Sequence, residues 1–405
     1  MERRAFVRSA ALLAAAPVVD SARIRELHGS VSSTEARFAK QSSTDQLDDV
    51  ITRAMSLAGV PGVAVGILRA GQVTQRHWGV ADTRTGSAID ADSRFEAASL
   101  SKPVTAYLVL ALAARGVFDV DRPLAQYGAP MPNADDLRSA KITARHVLSH
   151  SSGWRNWRRA SDPPLSADFE PGSRYQYSGE GYVQLQRVVE QVADRGFADL
   201  AADLVFKPLE MTRSTFLVTS ADAAATLAVG HGARQQPRES HGLRVGRHLE
   251  KNAPGGRAAT SLRVGEVEKL LPSMDPPSPP IPAFVMPNAA GSLVTTVSDY
   301  LRFWSHLLST DTRSGGAIAL TRMTKLETPI NTELSWGLGI GRETSAGELW
   351  LWHQGDNPGF KNFVSVNARR REAALVFTNA DSGMRVAERA VRTITEHDHA
   401  AFTWQ

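Results

Sequence analysis

Ser99 and Lys102 have the spacing in this chain that most directly suggests catalytic chemistry. They lie three positions apart in the stretch Phe95-Glu-Ala-Ala-Ser-Leu-Ser-Lys. Residues three apart share one face of a helix, so the serine hydroxyl and the lysine amine can touch there. A hydroxyl beside an amine that accepts its proton is an activated nucleophile. Among the lysines of the chain, only Lys102 follows a serine at this spacing.

Two further segments line up with this pair, one rich in tyrosine and one that combines histidine, glycine and aspartate. Tyr177 lies in the stretch Tyr175-Gln-Tyr-Ser-Gly-Glu-Gly, and a phenol and an amine in one site change each other's pKa. The stretch His353-Gln-Gly-Asp comes at the end of a predicted strand, where a glycine lets the backbone approach a substrate closely. Tyr175 is the alternative to Tyr177 for the acid–base role. Ser101 is the alternative nucleophile, although the lysine spacing favours Ser99.

The segments around these residues have the periodicities of an α+β protein. Apolar runs near both chain ends predict strands at 62–68, 73–80, 335–340, 348–352, 360–366 and 372–378. Helical spacing predicts helices at 45–57, 99–115, 142–148, 181–195, 200–209, 297–308 and 384–395. The strands from the two chain ends are expected to form one antiparallel sheet, flanked by helices 45–57 and 384–395.

This pattern divides the chain into several expected regions. Residues 45–98 and 288–405 are expected to form the sheet domain. Residues 99–230 are expected to form an inserted, mainly helical domain, with the nucleophile helix at the interface. Residues 231–287 are polar and then rich in proline, which disfavours regular helices and central strands. We expect this last region to be a surface excursion or a lid.

The first residues have the pattern of an export signal. Arg3 and Arg4 precede an apolar stretch from Ala10 to Val19, which resembles a twin-arginine signal over residues 1–22. The stretch is shorter than the roughly 20 residues that a membrane-spanning helix needs. The sequence therefore predicts an exported protein, periplasmic or secreted. The alternative is a frayed N-terminal helix.

Composition limits the classes of protein that this chain can belong to. The 405 residues are 42% hydrophobic and 22% charged, which is typical of a globular protein with an ordinary core. A net charge of +4 without a long basic run does not favour nucleic acid as a partner. The absence of cysteine excludes disulfides, a thiol nucleophile and cysteine-based metal sites.

In this order, the three motifs resemble those of the serine β-lactamase and penicillin-binding protein superfamily. The segment His150-Ser-Ser-Gly-Trp between the first two motifs adds to the resemblance, which covers roughly residues 45–395. The most similar branch is the class C β-lactamase-like serine hydrolases, which include esterases and D-amino-acid-specific peptidases. The resemblance implies a β-lactamase/transpeptidase-like fold.

The resemblance also implies roles for individual residues. Ser99 would attack a carbonyl carbon and become acylated, and Lys102 would help to remove its proton. Tyr177 matches the tyrosine of the family's Tyr-x-Asn motif and would relay a proton to the leaving group. The backbone N–H groups of Ser99 and Asp356 would form the oxyanion hole, and Gly355 would allow a close approach to the substrate.

The sequence departs from the β-lactamase pattern at two positions. His353 stands where β-lactamases have the lysine of Lys-Thr-Gly, and an ordinary histidine is only partly protonated near neutral pH. Gly179 stands where the asparagine of Tyr-x-Asn would bind a substrate amide, and Glu180 is a possible substitute. Both departures weaken the case for β-lactams and for D-alanyl-D-alanine peptides.

These observations predict a serine hydrolase that needs no cofactor and no metal. Its expected substrates are small esters or D-amino-acid amides. The alternatives are a class C-type β-lactamase or D-alanyl-D-alanine carboxypeptidase, and a non-catalytic binding or sensor module. His150 is expected to be structural. His397 and His399 are only a weak indication of a metal, since two histidines near a terminus are common.

Overall fold

The fold is built around one large antiparallel sheet to which both ends of the chain contribute. The structure, a computed structural model, describes residues 46–133, 135–219, 226–345 and 347–404. Within those residues the large sheet has nine strands in the order β3-β2-β1-β11-β10-β9-β8-β7-β6, and β4 pairs with β5 separately. The strands are β1 Gly62–Arg69, β2 Gln72–Asp82, β3 Ser87–Ala88, β4 Phe95–Glu96, β5 Val294–Thr295, β6 Thr328–Pro329, β7 Leu334–Trp336, β8 Gly341–Ser345, β9 Glu348–Asn357, β10 Phe360–Asn367 and β11 Glu372–Thr378.

The helices precede, interrupt and follow the strands. They are α1 at 46–58, α2 Ser101–Ala114, α3 Ala144–Leu148, α4 Gly179–Ala193, α5 Phe197–Ala201, α6 His241–Asn252, α7 Val264–Leu270, α8 Val297–Leu307, α9 Gly315–Lys325 and α10 Met384–Thr395. Residues 46–49 form the start of α1, and the chain from Val50 onward forms a compact unit. None of the helices within the described ranges has the length and apolar character needed to cross a bilayer.

Helices cover the middle of the sheet on its two faces. A methyl group at Gly66 in β1 would lie 2.6 Å from Leu301, so α8 packs directly on this strand. Helix α10 packs against β10 and β11. Its buried residues Val386 and Val391 lie outside the apolar cluster that includes α8, which assigns α10 to the opposite face. The alternating side chains of the strands therefore have apolar partners on each side.

The predicted fold class is confirmed. The large antiparallel sheet draws its strands from the N-terminal and C-terminal parts of the chain, and the helical segments between them include α2, α3, α4 and α5. The division into domains at residues 98, 230 and 287 stays a prediction. The predicted export signal over residues 1–22 lies outside the described residues.

Two strand predictions were wrong in their bounds. The strand expected at 335–340 is instead the end of β7 and a tight turn that leads into β8, because Gly339 adopts a left-handed backbone with φ of 76°. This turn packs on the nucleophile helix, since a methyl group at Gly339 would lie 2.5 Å from Ala106. The strand expected to end at residue 352 continues to Asn357. The third motif therefore lies within β9 rather than beyond its end.

The region 231–287 differs most from its expected structure. It contains α6 and α7, and buried residues such as Val245 and Leu249 belong to the main apolar cluster. The prolines are concentrated from Pro272 onward, so the first half of the region is free to form helices. Helix α9 was also missed by the sequence analysis.

Candidate active site

The hydroxyl of Ser99 lies between the side chains of Lys102 and Tyr177. Lys102 Nζ is 2.9 Å from Ser99 Oγ, and the Tyr177 hydroxyl is also 2.9 Å from that oxygen. The structure thus brings together the three residues that the sequence analysis assigned to catalysis. Ser99 and Tyr177 are 78 positions apart, so this meeting depends on the tertiary fold.

A tight turn at the start of α2 presents Ser99. Residues Ala98–Leu100 form a 3-10 turn, and the α-helix begins at Ser101 rather than at Ser99 as predicted. Ala98 has a left-handed φ of 53°, a conformation that costs a non-glycine residue about 1 kcal/mol or more. The Ser101 hydroxyl donates to the Ala98 carbonyl oxygen at 2.7 Å and accepts from the N–H of Leu293 at 3.0 Å. Ser101 therefore holds the turn in place.

Lys102 is enclosed in the protein at the base of the site. Its side chain is 1% exposed, and its Nζ also donates to the Ala290 carbonyl oxygen at 2.8 Å. Burial lowers the pKa of Lys102 well below its usual value. The Tyr177 and Tyr182 rings lie near the amine, with ring centroids 4.8 Å and 5.4 Å from Nζ. Burial therefore makes the amine give up its proton more readily, which suits Lys102 to the role of a base.

Tyr177 and Tyr175 have different surroundings. The Tyr177 hydroxyl donates to Ser99, whereas the buried Tyr175 hydroxyl has no hydrogen-bond partner among the described residues. Tyr175 instead packs against Trp336 and Trp404, with ring centroids 5.8 Å away in each case. Burial raises the pKa of Tyr177 above its usual value, although its bond to Ser99 opposes that change. Tyr177 therefore stays protonated at neutral pH.

The third motif runs along the turn that carries Ser99. A methyl group at Gly355 would lie 2.5 Å from the Ala97 carbonyl oxygen, so only glycine allows β9 to pass this close. The Asp356 carboxylate is exposed and accepts a bond from Lys361 Nζ at 2.6 Å. Its side chain is thus engaged on the surface, and only its backbone is relevant to the oxyanion hole.

His353 is buried and neutral. Its side chain is 1% exposed, and burial, reinforced by the nearby Lys102, lowers its pKa to about 3. Its Nδ1 lies 2.8 Å from the Gln354 carbonyl oxygen, which can only accept, so Nδ1 carries the proton. Nε2 is then an unprotonated acceptor, and it has no hydrogen-bond partner within the part of the chain that the structure describes. The third motif therefore presents a neutral acceptor rather than a cation.

The position of the absent asparagine is covered by an indole ring. A methyl group at Gly179 would lie 2.2 Å from the Trp157 ring, so no side chain fits there while Trp157 holds its place. Glu180 is fully buried and accepts from the backbone N–H of Arg158 at 3.0 Å and from its guanidinium at 2.7 Å. Glu180 is therefore bound to Arg158 and does not replace the asparagine.

His150 packs behind Tyr177 and does not reach Ser99. Its ring centroid lies 4.2 Å from that of Tyr177, and its Nδ1 accepts from the Ser178 N–H at 3.1 Å. Burial lowers the pKa of His150, with the nearby Lys102 and His353 adding to this effect. These contacts agree with the structural role expected from the sequence.

Several residues of this site had not been identified from the sequence. The Ala290 carbonyl is held near Lys102 by Gln186, whose side chain accepts from Ala289 N and donates to Pro287 O. From the sequence, Trp157 is expected only to belong to the core or to a cleft wall, and its contact with Gly179 was not predicted. Backbone carbonyls follow no spacing rule, so only the register of residues 287–290 against α4 would have indicated the role of Ala290.

A family model and several known proteins match this sequence. The Beta-lactamase family model matches residues 47–398. Esterase EstB from Burkholderia gladioli is 28% identical over 245 residues, which are 53% of this chain and 60% of EstB. A D-aminopeptidase from Gluconobacter oxydans is 28% identical over 168 residues, which are 38% of this chain and 32% of that enzyme. The chain thus spans less than two thirds of the length of these relatives.

Solved structures share the fold over most of the chain. SurE has a TM-score of 0.65 at 21% identity, with 88% of this chain and 76% of SurE covered. The D-alanine carboxypeptidase AmpC from Burkholderia cenocepacia has a TM-score of 0.63 at 19% identity, with 86% and 99% covered. A class C β-lactamase has a TM-score of 0.67 at 16% identity, with 86% and 96% covered. At these identities the likeness concerns the fold alone.

Proposed function

We propose, from the premise that this chain belongs to the β-lactamase family, that it is a serine hydrolase acting through a Ser99 acyl-enzyme. The observation that carries the proposal is the pair of contacts at Ser99 Oγ, 2.9 Å to the Lys102 amine and 2.9 Å to the Tyr177 hydroxyl. The proposed substrates are small esters or D-amino-acid amides, with esters favoured by the surroundings of the site.

The two neighbours of Ser99 have complementary roles in the proposed reaction. Ser99 Oγ attacks the substrate carbonyl carbon, and the neutral Lys102 amine takes the hydroxyl proton. Tyr177, protonated because burial raises its pKa, gives its proton to the leaving oxygen or nitrogen as the carbonyl bond to that atom breaks. The lysine then returns a proton to Tyr177. Water attacks the acyl-enzyme by the same transfers in reverse and releases the acid.

The oxyanion of the tetrahedral intermediate would accept from two backbone N–H groups, those of Ser99 and Asp356. The close passage of β9 at Gly355 past Ala97 supports this role, because it brings the strand within contact of the Ser99 turn. Such fixed donors stabilise the charge that develops on the carbonyl oxygen and do not need to reorganise during the reaction.

The third motif favours substrates that have no carboxylate near the scissile bond. The unprotonated Nε2 of His353 accepts hydrogen bonds but cannot attract an anion as a lysine does. At Gly179, the Trp157 ring supplies an apolar surface where an asparagine would bind a substrate amide. Both features favour an ester with an apolar acyl group over an acidic peptide.

The β-lactamase and D-alanyl-D-alanine carboxypeptidase alternative is supported by the penicillin-binding protein 4 of Amycolatopsis lactamdurans, 28% identical over 172 residues. Those residues are 39% of this chain and 45% of that protein. The neutral His353 argues against that alternative. The binding or sensor alternative would leave Ser99 unacylated by every substrate class.

The deciding experiment compares the full chain with Ser99→Ala on three substrate classes. These are p-nitrophenyl butyrate, D-alanine p-nitroanilide and a chromogenic cephalosporin, each followed by absorbance and by intact mass of the protein. We expect Ser99-dependent turnover of the butyrate, with an acyl adduct that Ser99→Ala lacks. Turnover that survives in Ser99→Ala would refute the assignment, and fast cephalosporin hydrolysis would favour the β-lactamase alternative.

A second comparison tests the apolar surface. Trp157→Ala should raise KM for the butyrate ester more than for the acetate ester, since the longer acyl chain loses more contact area. A matched control is Trp350→Phe, because Trp350 packs against His397 rather than against Gly179. Equal changes for both esters in Trp157→Ala would show that the ring does not contact the acyl group.

A further inference from the structure

Three titratable side chains meet away from Ser99, at the end of the chain. Glu343 projects from β8, and His397 and His399 follow α10. One ligand atom from each of the three lies within 4.8 Å of the others. The side chains of Glu343 and His399 are fully buried, and that of His397 is 17% exposed. The sequence analysis had noted the two histidines but not the glutamate.

Each histidine already faces one oxygen of the same carboxylate. His397 Nε2 lies 2.9 Å from Oε1 of Glu343, and His399 Nδ1 lies 3.3 Å from Oε2. In a tetrahedral zinc site, ligand atoms about 2.0–2.2 Å from the metal lie roughly 3.3–3.6 Å from one another. The two nitrogen–oxygen separations are near those of a coordination shell, and the three ligand atoms lie within 4.8 Å of one another, so an ion that replaces the shared protons must draw them closer together.

The surroundings hold the three side chains as outer partners hold metal ligands. His399 Nε2 lies 3.0 Å from the Ser365 hydroxyl, which can accept from Nε2 and so is compatible with the tautomer that leaves Nδ1 free for a metal. The backbone N–H groups of Ala400 and Ala401 donate to the two oxygens of Glu343 at 3.1 Å and 3.4 Å. Zinc ligands are usually held in this way, with outer groups that hydrogen-bond to the ligating carboxylate and orient the ligating imidazole.

We propose that Glu343, His397 and His399 bind one Zn²⁺ ion. Two imidazoles and one carboxylate form a donor set that zinc accepts, with a fourth position left for water on the partly exposed side of His397. The ion would fasten the C-terminal segment to the sheet. That segment includes Trp404, whose ring lies 5.8 Å from Tyr175 and 5.6 Å from Trp352, beside the proposed active site.

The test uses the full chain, freed of any histidine tag and of metal by chelator, and titrated with Zn²⁺ against a competing chromogenic chelator. His397→Gln and Glu343→Gln remove one ligand each, and His397→Gln is the milder change because this side chain is partly exposed. The matched control is His248→Gln, which removes a histidine that contacts Leu270 and Ser273 instead. Bound zinc is counted by elemental analysis after desalting.

We expect one zinc per chain in the wild type and in His248→Gln. In the two cluster variants we expect the affinity to fall by at least ~100-fold, since even outer-layer changes cost about 10–100-fold. Zinc should also slow hydrogen exchange of the 396–404 peptide in the wild type but not in His397→Gln.

Two results would overturn this proposal. If the wild type bound zinc no more tightly than His397→Gln, the cluster would only be a set of hydrogen bonds between the C-terminal segment and β8. Tight zinc binding that both cluster variants retain would place the ion elsewhere. Both readouts are independent of ester turnover, so they leave the proposed hydrolase activity to its own test.

Discussion

Replacing Gly355 by alanine is the sharpest structural test of the proposed oxyanion hole. The added methyl group would lie 2.5 Å from the Ala97 carbonyl oxygen and 3.1 Å from both Asn362 Nδ2 and Leu100 Cδ1. Ordinary contact begins at 3.4 Å, so β9 and the Ser99 turn must separate by about 0.9 Å. We expect this overpacking to cost roughly 1–3 kcal/mol of unfolding free energy.

The same movement should affect catalysis more than stability. A hydrogen bond from the N–H of Asp356 to the oxyanion, ordinarily about 2.9 Å long, would lengthen by about 0.9 Å and pass out of hydrogen-bonding range. Loss of one oxyanion donor costs about 10²–10³ in kcat, or roughly 3–4 kcal/mol. We therefore expect kcat/KM of Gly355→Ala for p-nitrophenyl butyrate to fall by about that factor, while circular dichroism still reports a folded chain at 25 °C.

Gly265→Ala is the matched control, since a methyl group there meets nothing closer than 3.8 Å and lies on helix α7. It should retain full activity and gain about 0.5–1 kcal/mol of stability. If folded Gly355→Ala turned over the ester within a factor of ~3 of the wild type, the oxyanion hole would not involve this part of β9, and our interpretation of the close approach to Ala97 would be wrong.

Three further predictions concern single side chains. Tyr177→Phe should lower kcat by about 10²–10⁴, the range for a general acid–base residue. Tyr175→Phe should change kcat little, because the Tyr175 hydroxyl has no hydrogen-bond partner among the described residues. A larger loss of kcat in Tyr175→Phe would mean that Tyr175 is the acid–base residue. His353→Lys should lower KM about tenfold for substrates that carry a carboxylate, through a charge-assisted hydrogen bond, and leave KM for neutral esters unchanged. An equal effect of His353→Lys on KM for both substrate classes would argue that this position does not bind the substrate carboxylate. Burial raises the pKa of Glu190 from 4.5 to about 7, so the folded chain prefers the protonated carboxyl. The contribution of this group to the free energy of unfolding is complete below pH 4.5. It is lost as the pH rises through 7, by up to ~3 kcal/mol. Denaturant titrations should show this loss in the wild type but not in Glu190→Gln, and parallel pH profiles would contradict it.

Local sequence features predicted much of the framework. The pairing of Ser99 with Lys102 follows from their spacing within one turn of helix, which needs no tertiary information. Apolar runs located β1 and the C-terminal strands because each lies against covering helices. The motif order indicated the family and, with it, the fold. Where bounds were wrong, as at Gly339, a single left-handed residue overrode the apolar pattern.

The choice between Tyr175 and Tyr177 needed the tertiary structure. The two tyrosines lie two residues apart in a segment without regular secondary structure, so no periodicity distinguishes them. Only the packing decides that Tyr177 meets Ser99 while Tyr175 packs against Trp336. The protonation states of Lys102 and His353 depended on the tertiary structure for the same reason, since burial rather than residue type shifts their pKa values.

Contacts between segments that no motif links were also the least predictable. Trp157 covers Gly179, and Glu343 meets His397 and His399 across 54 and 56 positions of sequence. What the sequence determined by itself was which residues are neighbours along a helix or strand, because backbone geometry repeats over a few residues. What the tertiary structure decided was which distant groups share a dry environment, and that environment sets their charge and their chemistry.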